Sequence, residues 1–166
     1  MPLNSLADLF HETLRDVYYA EKKLTKTLPK MAKKASNEEL SSAITNHLRE
    51  TEGHVERLEQ IFEMIEKPAR AKKCQAMDGL LEEGDEFAGE AKDDATRDAA
   101  IIASAQTVEH YEISRYGTLA TWAELLGYDD AKDLLGQTLE EEKAADEKLT
   151  SLAEDINVEA EEMEEA

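Results

Sequence analysis

The sequence predicts an all-α protein, a four-helix bundle with one long crossover connection between the second and third helices. Ala, Glu, Leu, Lys and Asp dominate, whereas the 166 residues include only 7 Gly and 3 Pro, which is a helix-forming composition. Apolar residues recur at spacings of three and four in four long stretches, as in amphipathic helices. About 28 residues separate the second stretch from the third, far more than the roughly 2–8 of a tight helix–helix turn.

The first helix is predicted over about residues 4–35. Its apolar residues fall every three or four positions, so they form one stripe along the helix. Glu21 lies in the middle of this stripe, between Val17 and Leu24. A single glutamate in such a position is more often a residue at the edge of the core than a metal ligand. Whether Glu21 is a ligand therefore depends on what the other helices place at the same level.

The second helix is predicted over about residues 37–66. Ser36 is expected to cap its start, because a glutamate follows three residues later in the pattern of a capping box. Three polar side chains lie on or beside the apolar stripe of this helix, namely His47, Glu50 and His54.

The crossover is predicted over residues 67–94. It is rich in glycine and is expected to contain a short helix at about residues 76–90. Its length is enough to carry the chain from one end of the bundle to the other. With no β pattern and no second domain, residues 1–166 are predicted to form a single domain.

The third and fourth helices are predicted over about residues 95–126 and 130–157. Gly127 is well placed as the C-terminal glycine of the third helix. The acidic tail, residues 158–166, is expected to be frayed and solvated.

Composition excludes several classes of function. The net charge of −20 would repel nucleic acid and anionic membrane surfaces. No apolar run approaches the roughly 18 residues of a membrane span, and the first residues lack the features of a signal peptide. We therefore expect a cytoplasmic protein. One cysteine, Cys74, excludes an internal disulfide and a CxxC motif.

Acidic residues interrupt the apolar stripe of every long helix near its middle. In the third helix they are Glu109 and Glu112, and in the fourth Glu142 and Asp146. In a bundle of antiparallel helix pairs, mid-helix positions can meet at one level. The side chains expected to gather there are Glu21, Glu50, His54, Glu109, Glu112, Glu142 and Asp146.

Such a group of buried carboxylates needs compensating charge. An unpaired ionised carboxylate in an apolar core costs several kcal/mol even after relaxation. The adjacent stripe positions offer no Lys or Arg, whereas two divalent or trivalent ions would supply comparable positive charge. Sites rich in carboxylate with an imidazole suit iron or manganese better than zinc or copper. The pattern therefore predicts a dinuclear metal site.

The competing interpretation is structural. A chain this acidic often places a glutamate on a helical stripe, although acid at a comparable depth in four helices is less expected by chance. His54 suits a hydrogen-bonded seam position as well as a metal, and His47 suits a supporting role better. His110 could orient a ligand or lie on the surface. Three nearby tyrosines are expected to pack in the core: Tyr18, Tyr111 and Tyr116.

Several long stretches of the chain resemble the YciE/YciF family of ferritin-like bacterial proteins. They include YYAEKKLTKTLPKMAKKASNEEL, HLRETEGHVERLEQIF, AQTVEHYEISRYGTLATWAELLG and TLEEEKAADEKLTSLA, and the likeness extends over roughly residues 4–155. The resemblance implies a ferritin-like, rubrerythrin-like bundle with a di-iron centre. It also implies a homodimer and a link to stress responses.

The resemblance assigns roles to the acidic residues. Glu21 and Glu109 would be the single-glutamate ligands, and Glu112 the additional glutamate of rubrerythrin-type sites. Glu50 and Glu142 would be the glutamates of the second and fourth helices.

The chain departs from the Glu-x-x-His pattern of such bundles on two helices. Glu50 is followed at the third position by glycine, with His54 one residue later. Glu142 is followed by alanine, with Asp146 one residue later. The expected site is therefore rich in carboxylate and poor in histidine. Glu52 and Glu141 are potential substitutes, although both fall off the stripes.

Two functions follow as hypotheses. The first is a di-iron or dimanganese redox protein that reacts with O₂ or peroxide or oxidises ferrous iron, as a peroxidase-like, ferroxidase-like or catalase-like enzyme. A peroxidase would need an external electron donor, because one cysteine cannot build a rubredoxin site. The second is a non-enzymatic stress protein or metal buffer, in which the bundle is a dimeric structural or interaction module.

Overall fold

The computed structural model describes residues 2–165, with side chains to residue 163. This part of the chain is all helical, and it contains no strand. The helices are α1 (Leu6–Lys34), α2 (Glu38–Met64), α3 (Gln75–Glu90), α4 (Asp94–Leu125) and α5 (Asp129–Glu165). Helices α1, α2, α4 and α5 form the predicted four-helix bundle. Helix α3 is the short helix predicted in the crossover, and it packs against α4.

The start of α2 differs by one residue from the prediction. Its N-cap is Asn37 rather than Ser36, and the Asn37 side chain accepts a hydrogen bond from the Leu40 backbone N–H at 3.0 Å. Ser36 belongs instead to the link between α1 and α2. The buried carboxylate of Asp98 accepts the backbone N–H groups of Ser36 and Asn37, both at 2.8 Å, and so fixes this link to α4.

The end of α4 confirms the role predicted for Gly127. This glycine has φ +76°, a left-handed conformation that a Cβ would disfavour. The Tyr128 N–H then reaches back to the Ala123 carbonyl at 2.8 Å, and the Gly127 N–H to the Glu124 carbonyl at 3.1 Å. This is the hydrogen-bond pattern of a Schellman motif, and it sets the tight turn that returns the chain as α5.

The acidic tail is helical, contrary to the prediction. Helix α5 continues to Glu165, although its last core residue is Ile156, which is 2% exposed. Glutamate and alanine are good helix formers, and no proline or glycine interrupts residues 158–165. The solvated part of the prediction is confirmed where side chains are described, since Val158 and Met163 are exposed. Ala166 lies outside the described residues.

Two apolar clusters fill the bundle, one toward each end. One cluster contains Leu24, Leu28, Leu40, Ile44, Ile102 and Leu149 among its members. The other contains Phe10, Leu14, Phe62, Tyr116, Leu119 and Leu135. The level between them is occupied by the middle of each bundle helix, where the acidic residues interrupt the stripes. This polar level therefore lies between two apolar cores.

Within residues 2–165, no helix combines the length and the apolar composition that a membrane crossing requires.

Candidate metal centre

The four bundle helices bring six of their polar side chains together between the apolar clusters. Each of the six is at most 8% exposed. Glu21 comes from α1, His47 and His54 from α2, Glu109 and Glu112 from α4, and Glu142 from α5.

These side chains form two overlapping groups. In the first, which we call the inner group, Glu21, His54, Glu112 and Glu142 each offer one ligand-type atom within 4.8 Å of the others. In the second, the outer group, the same holds for His47, Glu109 and Glu142. Because Glu142 belongs to both groups, its two oxygens lie between them.

The inner group is arranged around His54. Its Nδ1 lies 2.8 Å from Glu142 Oε1 and 3.3 Å from Glu21 Oε1. Tyr116 donates its hydroxyl proton to Glu21, and the Tyr116 ring packs against His54. Tyr116 is therefore the one tyrosine of the three predicted that bonds to a member of either group. Tyr18 and Tyr111 bond elsewhere, to Glu59 and Asp16.

The outer group is arranged around His47. Its Nε2 lies 2.8 Å from Glu109 Oε1 and 3.9 Å from Glu142 Oε2. Next to it, Thr51 is fully buried and donates its hydroxyl to the His47 carbonyl at 2.8 Å.

Both histidines have a carboxylate behind the ring. His54 Nε2 lies 2.9 Å from Glu141 Oε2, and Arg57 Nη2 holds the other oxygen of Glu141 at 2.9 Å. His47 Nδ1 lies 3.2 Å from Glu50 Oε2. With these nitrogens donating to the carboxylates, the opposite nitrogen of each ring carries a lone pair that faces its group. This is how carboxylates orient metal-binding histidines.

Many atoms of the two groups have no hydrogen-bond partner. Within the described residues, nine buried side-chain nitrogen or oxygen atoms lack one, and eight of these belong to the two groups. They are Glu21 Oε2, His47 Nε2, His54 Nδ1, Glu109 Oε2, both oxygens of Glu112 and both oxygens of Glu142. Several lie close to one another without hydrogen-bond alignment. Buried polar groups are normally paired, so these atoms suit a metal ion that accepts their lone pairs.

In the absence of metal, burial and mutual repulsion oppose the ionisation of all four carboxyl groups at once. Burial raises the pKa of Glu112 well above its ordinary value, and the charges of Glu21 and Glu109 raise it further. Burial and the charge of Glu112 likewise raise the pKa of Glu142. For Glu109, burial raises the pKa, but the close approach of Glu142 and His47 outweighs burial, and the net shift is downward.

The pKa of His47 is raised, whereas burial alone would lower the pKa of a histidine. Burial lowers its pKa, but the adjacent carboxylates of Glu109 and Glu50 and the charge of Glu112 together raise it well above the ordinary value. In the metal-free protein, protons therefore supply part of the positive charge that the acids require.

These shifts predict that the metal-free protein loses stability as the pH rises above the ordinary pKa of glutamate, 4.5, and further as it rises above that of histidine, 6.5. Over this range the folded state holds protons on Glu112, Glu142 and His47 that the unfolded chain has released or is releasing, so folding becomes less favourable as pH rises. Thermal unfolding of chelated protein should show Tm falling. In the Glu112→Gln variant, Tm should fall less steeply with pH. An unchanged dependence of Tm on pH would show that Glu112 does not hold a proton in the folded protein.

Glu50 and Asp146 do not join either group, which corrects their predicted placement. Successive residues on a helix are about 100° apart, and Thr51 rather than Glu50 faces the interior. The Glu50 side chain is 43% exposed and contacts the outer group only through His47. Asp146 faces α4, where it bonds to Gln106 at 3.3 Å and to the exposed His110 at 3.1 Å.

The sequence interpretation undervalued two residues. The sequence predicts only a supporting role for His47. In the structure it belongs to the outer group itself, with its Nε2 2.8 Å from Glu109 Oε1. A signal was present, because His47 and His54 are seven residues apart and thus share one helix face. Glu141 had no such signal. Its position beside His54 depends on how α5 packs against α2 and on the bond from Arg57.

Comparison with known proteins places the chain among bacterial relatives. The model of a protein family described as domain of unknown function DUF892 matches residues 5–162. Protein YciF of Escherichia coli K12 is 51% identical over 154 residues, covering 92% of this chain and 93% of that protein. The family resemblance predicted from the sequence is thus confirmed.

Solved structures agree with the fold. The E. coli stress protein YciF matches with a TM-score of 0.89 over 93% of this chain and 98% of its own, at 51% identity. YcfI of Rhodopseudomonas palustris, provisionally described as a structural protein, matches with a TM-score of 0.87 over 89% of this chain and 94% of its own, also at 51% identity. A Xanthomonas campestris protein at 21% identity and TM-score 0.79, covering 98% of this chain and 100% of its own, shares the fold.

Proposed function

The chain belongs to the DUF892 family of YciF-like proteins, and we propose that it is a ferritin-like metalloprotein with a dinuclear, carboxylate-rich centre. The metal is iron, with manganese as the alternative, and the centre reacts with O₂ or peroxide or oxidises ferrous iron under stress. One observation carries the proposal. Buried, unpartnered oxygen and nitrogen atoms from all four bundle helices converge on two adjacent positions that share Glu142.

Charge supports two divalent ions. The two groups together contain four carboxylates and two imidazoles. Four negative charges match the four positive charges of two divalent ions, which removes the repulsion that otherwise forces protonation. Each position would receive one imidazole and otherwise carboxylate oxygens, a ligand set suited to iron or manganese.

The residues divide the work as follows. The inner group would hold one ion, the outer group would hold the other, and Glu142 would contribute to both. Glu50 and Glu141 orient the two imidazoles, while the Tyr116 hydroxyl fixes one oxygen of Glu21. When bound, the metal pair supplies electron exchange with O₂ or peroxide. The apolar clusters limit the access of water to the reacting atoms from the two ends of the bundle.

The remaining elements of the proposal come from the family resemblance and the composition. A repeated peroxidase cycle draws electrons from an external donor, because the chain has a single cysteine for redox chemistry of its own. We also propose a homodimer in the cytoplasm.

Mixing iron-loaded protein with hydrogen peroxide tests the redox function. Protein loaded anaerobically with ferrous iron should develop near-ultraviolet absorbance of ferric carboxylate within a stopped-flow record, with loss of peroxide. Metal-free protein and Glu112→Gln protein treated in the same way should not. Bound iron that neither changes absorbance nor consumes peroxide would eliminate the redox function.

That last outcome would favour the second candidate, a metal-buffering or structural stress protein. The observation behind it is the altered motif, since the chain lacks Glu-x-x-His on α2 and α5. The provisional description of the R. palustris relative as a structural protein points the same way.

A further inference from the structure

A cavity of about 620 Å³ opens between α2 and α5 and ends at the outer group. His47 and Glu109 are buried lining residues and mark its inner end, whereas the lining residue Glu50 has an exposed side chain. Glu21 and His54 of the inner group do not line it. The cavity therefore leads from the surface to one side of the candidate centre.

Short side chains line this opening on both helices. They include Ala43 on α2 and Ala145 on α5. Further along the same seam, Arg57 of α2 spans the gap and bonds to Glu141 at 2.9 Å and Thr138 at 3.1 Å. The opening is thus local to the seam beside His47.

The cavity walls are mainly apolar. They include Leu24, Leu28, Ile44, Val108 and Leu149. Its volume lies within the roughly 300–1,000 Å³ range of small-molecule sites, which are typically apolar with a few convergent polar groups. Apolar cavities hold water poorly, so the walls favour an organic occupant.

The charged side chains that line the cavity disfavour anionic ligands. Four acidic side chains line the cavity, Glu38, Glu39, Glu50 and Glu109, against two that can carry positive charge, Lys148 and His47, so an anionic ligand would meet net repulsion. At the inner end, His47 Nε2 and Glu109 Oε2 are buried without a hydrogen-bond partner. These two atoms mark where the polar end of a ligand would lie.

We propose that this cavity binds an uncharged, largely apolar organic molecule whose single polar group points toward the outer group. Its role as the substrate position of the centre rests on the proposed function, whereas the binding itself does not require metal. The ligand class follows from the apolar walls, the acidic lining and the two unpartnered atoms at the inner end.

Binding of small probes to chelated protein tests the proposal, with 2-phenylethanol as the uncharged probe and 3-phenylpropanoate as its anionic counterpart. Saturation-transfer NMR titrations should show saturable binding of the alcohol and much weaker binding of the anion. Ala43→Leu and Ala145→Leu fill the cavity and should each weaken alcohol binding by about tenfold or more. Ala76→Leu, at an exposed position on α3, should leave it unchanged.

Circular dichroism melting confirms that each variant is folded. Absence of saturable binding of the alcohol, equal binding of the anion, or unchanged affinity in both cavity variants would overturn the proposal. The metal content of the same preparations, measured before chelation, is a separate result. Binding without metal would refute only the proposed function, and two ions per chain without probe binding would refute only this inference.

Discussion

Glu142→Ala protein is expected to lose both metal ions. Glu142 is fully buried and is the one residue common to the inner and outer groups. Removing it takes one oxygen ligand from each position and leaves three carboxylates, so both ions lose affinity. Glu109→Ala removes a ligand from the outer group alone, and we expect it to lose at least one ion.

The measurement is metal content after anaerobic loading and desalting. The matched control is Glu147→Ala, which removes an exposed glutamate from the same helix and should keep wild-type stoichiometry. Retention of both ions by Glu142→Ala protein would show that Glu142 does not link the two positions. Retention of both ions by Glu109→Ala protein would show that α4 supplies no ligand to the outer position.

Metal loading is expected to raise thermal stability by several degrees, and Glu112→Gln should reverse the order of stability. A ligand at 100 times its Kd stabilises the native state by about 2.7 kcal/mol, which corresponds to about 5–10 °C in Tm for a chain of this size. In metal-free protein at about pH 8, Glu112→Gln removes a buried acid whose ionisation is opposed by burial and by the charges of Glu21 and Glu109, and it should increase stability by about 1–3 kcal/mol.

Differential scanning calorimetry of chelated and loaded samples gives both comparisons. Without metal the variant should melt above wild-type protein, and with metal it should melt below. Glu83→Gln, at an exposed position of α3, should change neither value by more than a degree or so. If Glu112→Gln instead destabilised the chelated protein, Glu112 would be a paired structural residue.

The bundle could be predicted because its signals are local. The apolar spacing places each helix, Asp93 caps α4 through the Thr96 N–H at 2.8 Å, and Gly127 ends it. The prediction placed the end of α5 too early because it took the last core residue as the end. Helix propensity carries a solvated helix beyond Ile156 without any contact to the core.

The structure brings together five of the seven residues proposed for the site, because buried stripes contain them. Glu21, Glu109, Glu112 and Glu142 interrupt regular apolar spacing, and that interruption is visible in the sequence. The orientation of Glu50 could not be predicted from the apolar spacing. A stripe is wide enough to accept either Glu50 or Thr51, and only packing against the other helices decides which of them faces inward.

The hydrogen-bond partners of the two histidines could not be predicted from the sequence, because they depend on how the helices pack. The bond from His54 to Glu141 joins residues 87 positions apart. The sequence indicates Glu141 only as a potential substitute ligand, because it lies off its own helix stripe, yet it reaches the ring from the edge of α5, where Arg57 holds it. Sequence periodicity describes one helix at a time, so it identifies residues that face the core better than residues that bridge two helices.

The central claim is that the buried acids and histidines hold two metal ions. The most direct test is elemental analysis of protein purified from cells grown with added iron. We expect about two ions per chain, mainly iron. Protein that contains no metal, and whose melting temperature does not change when ferrous iron is added anaerobically, would contradict the claim.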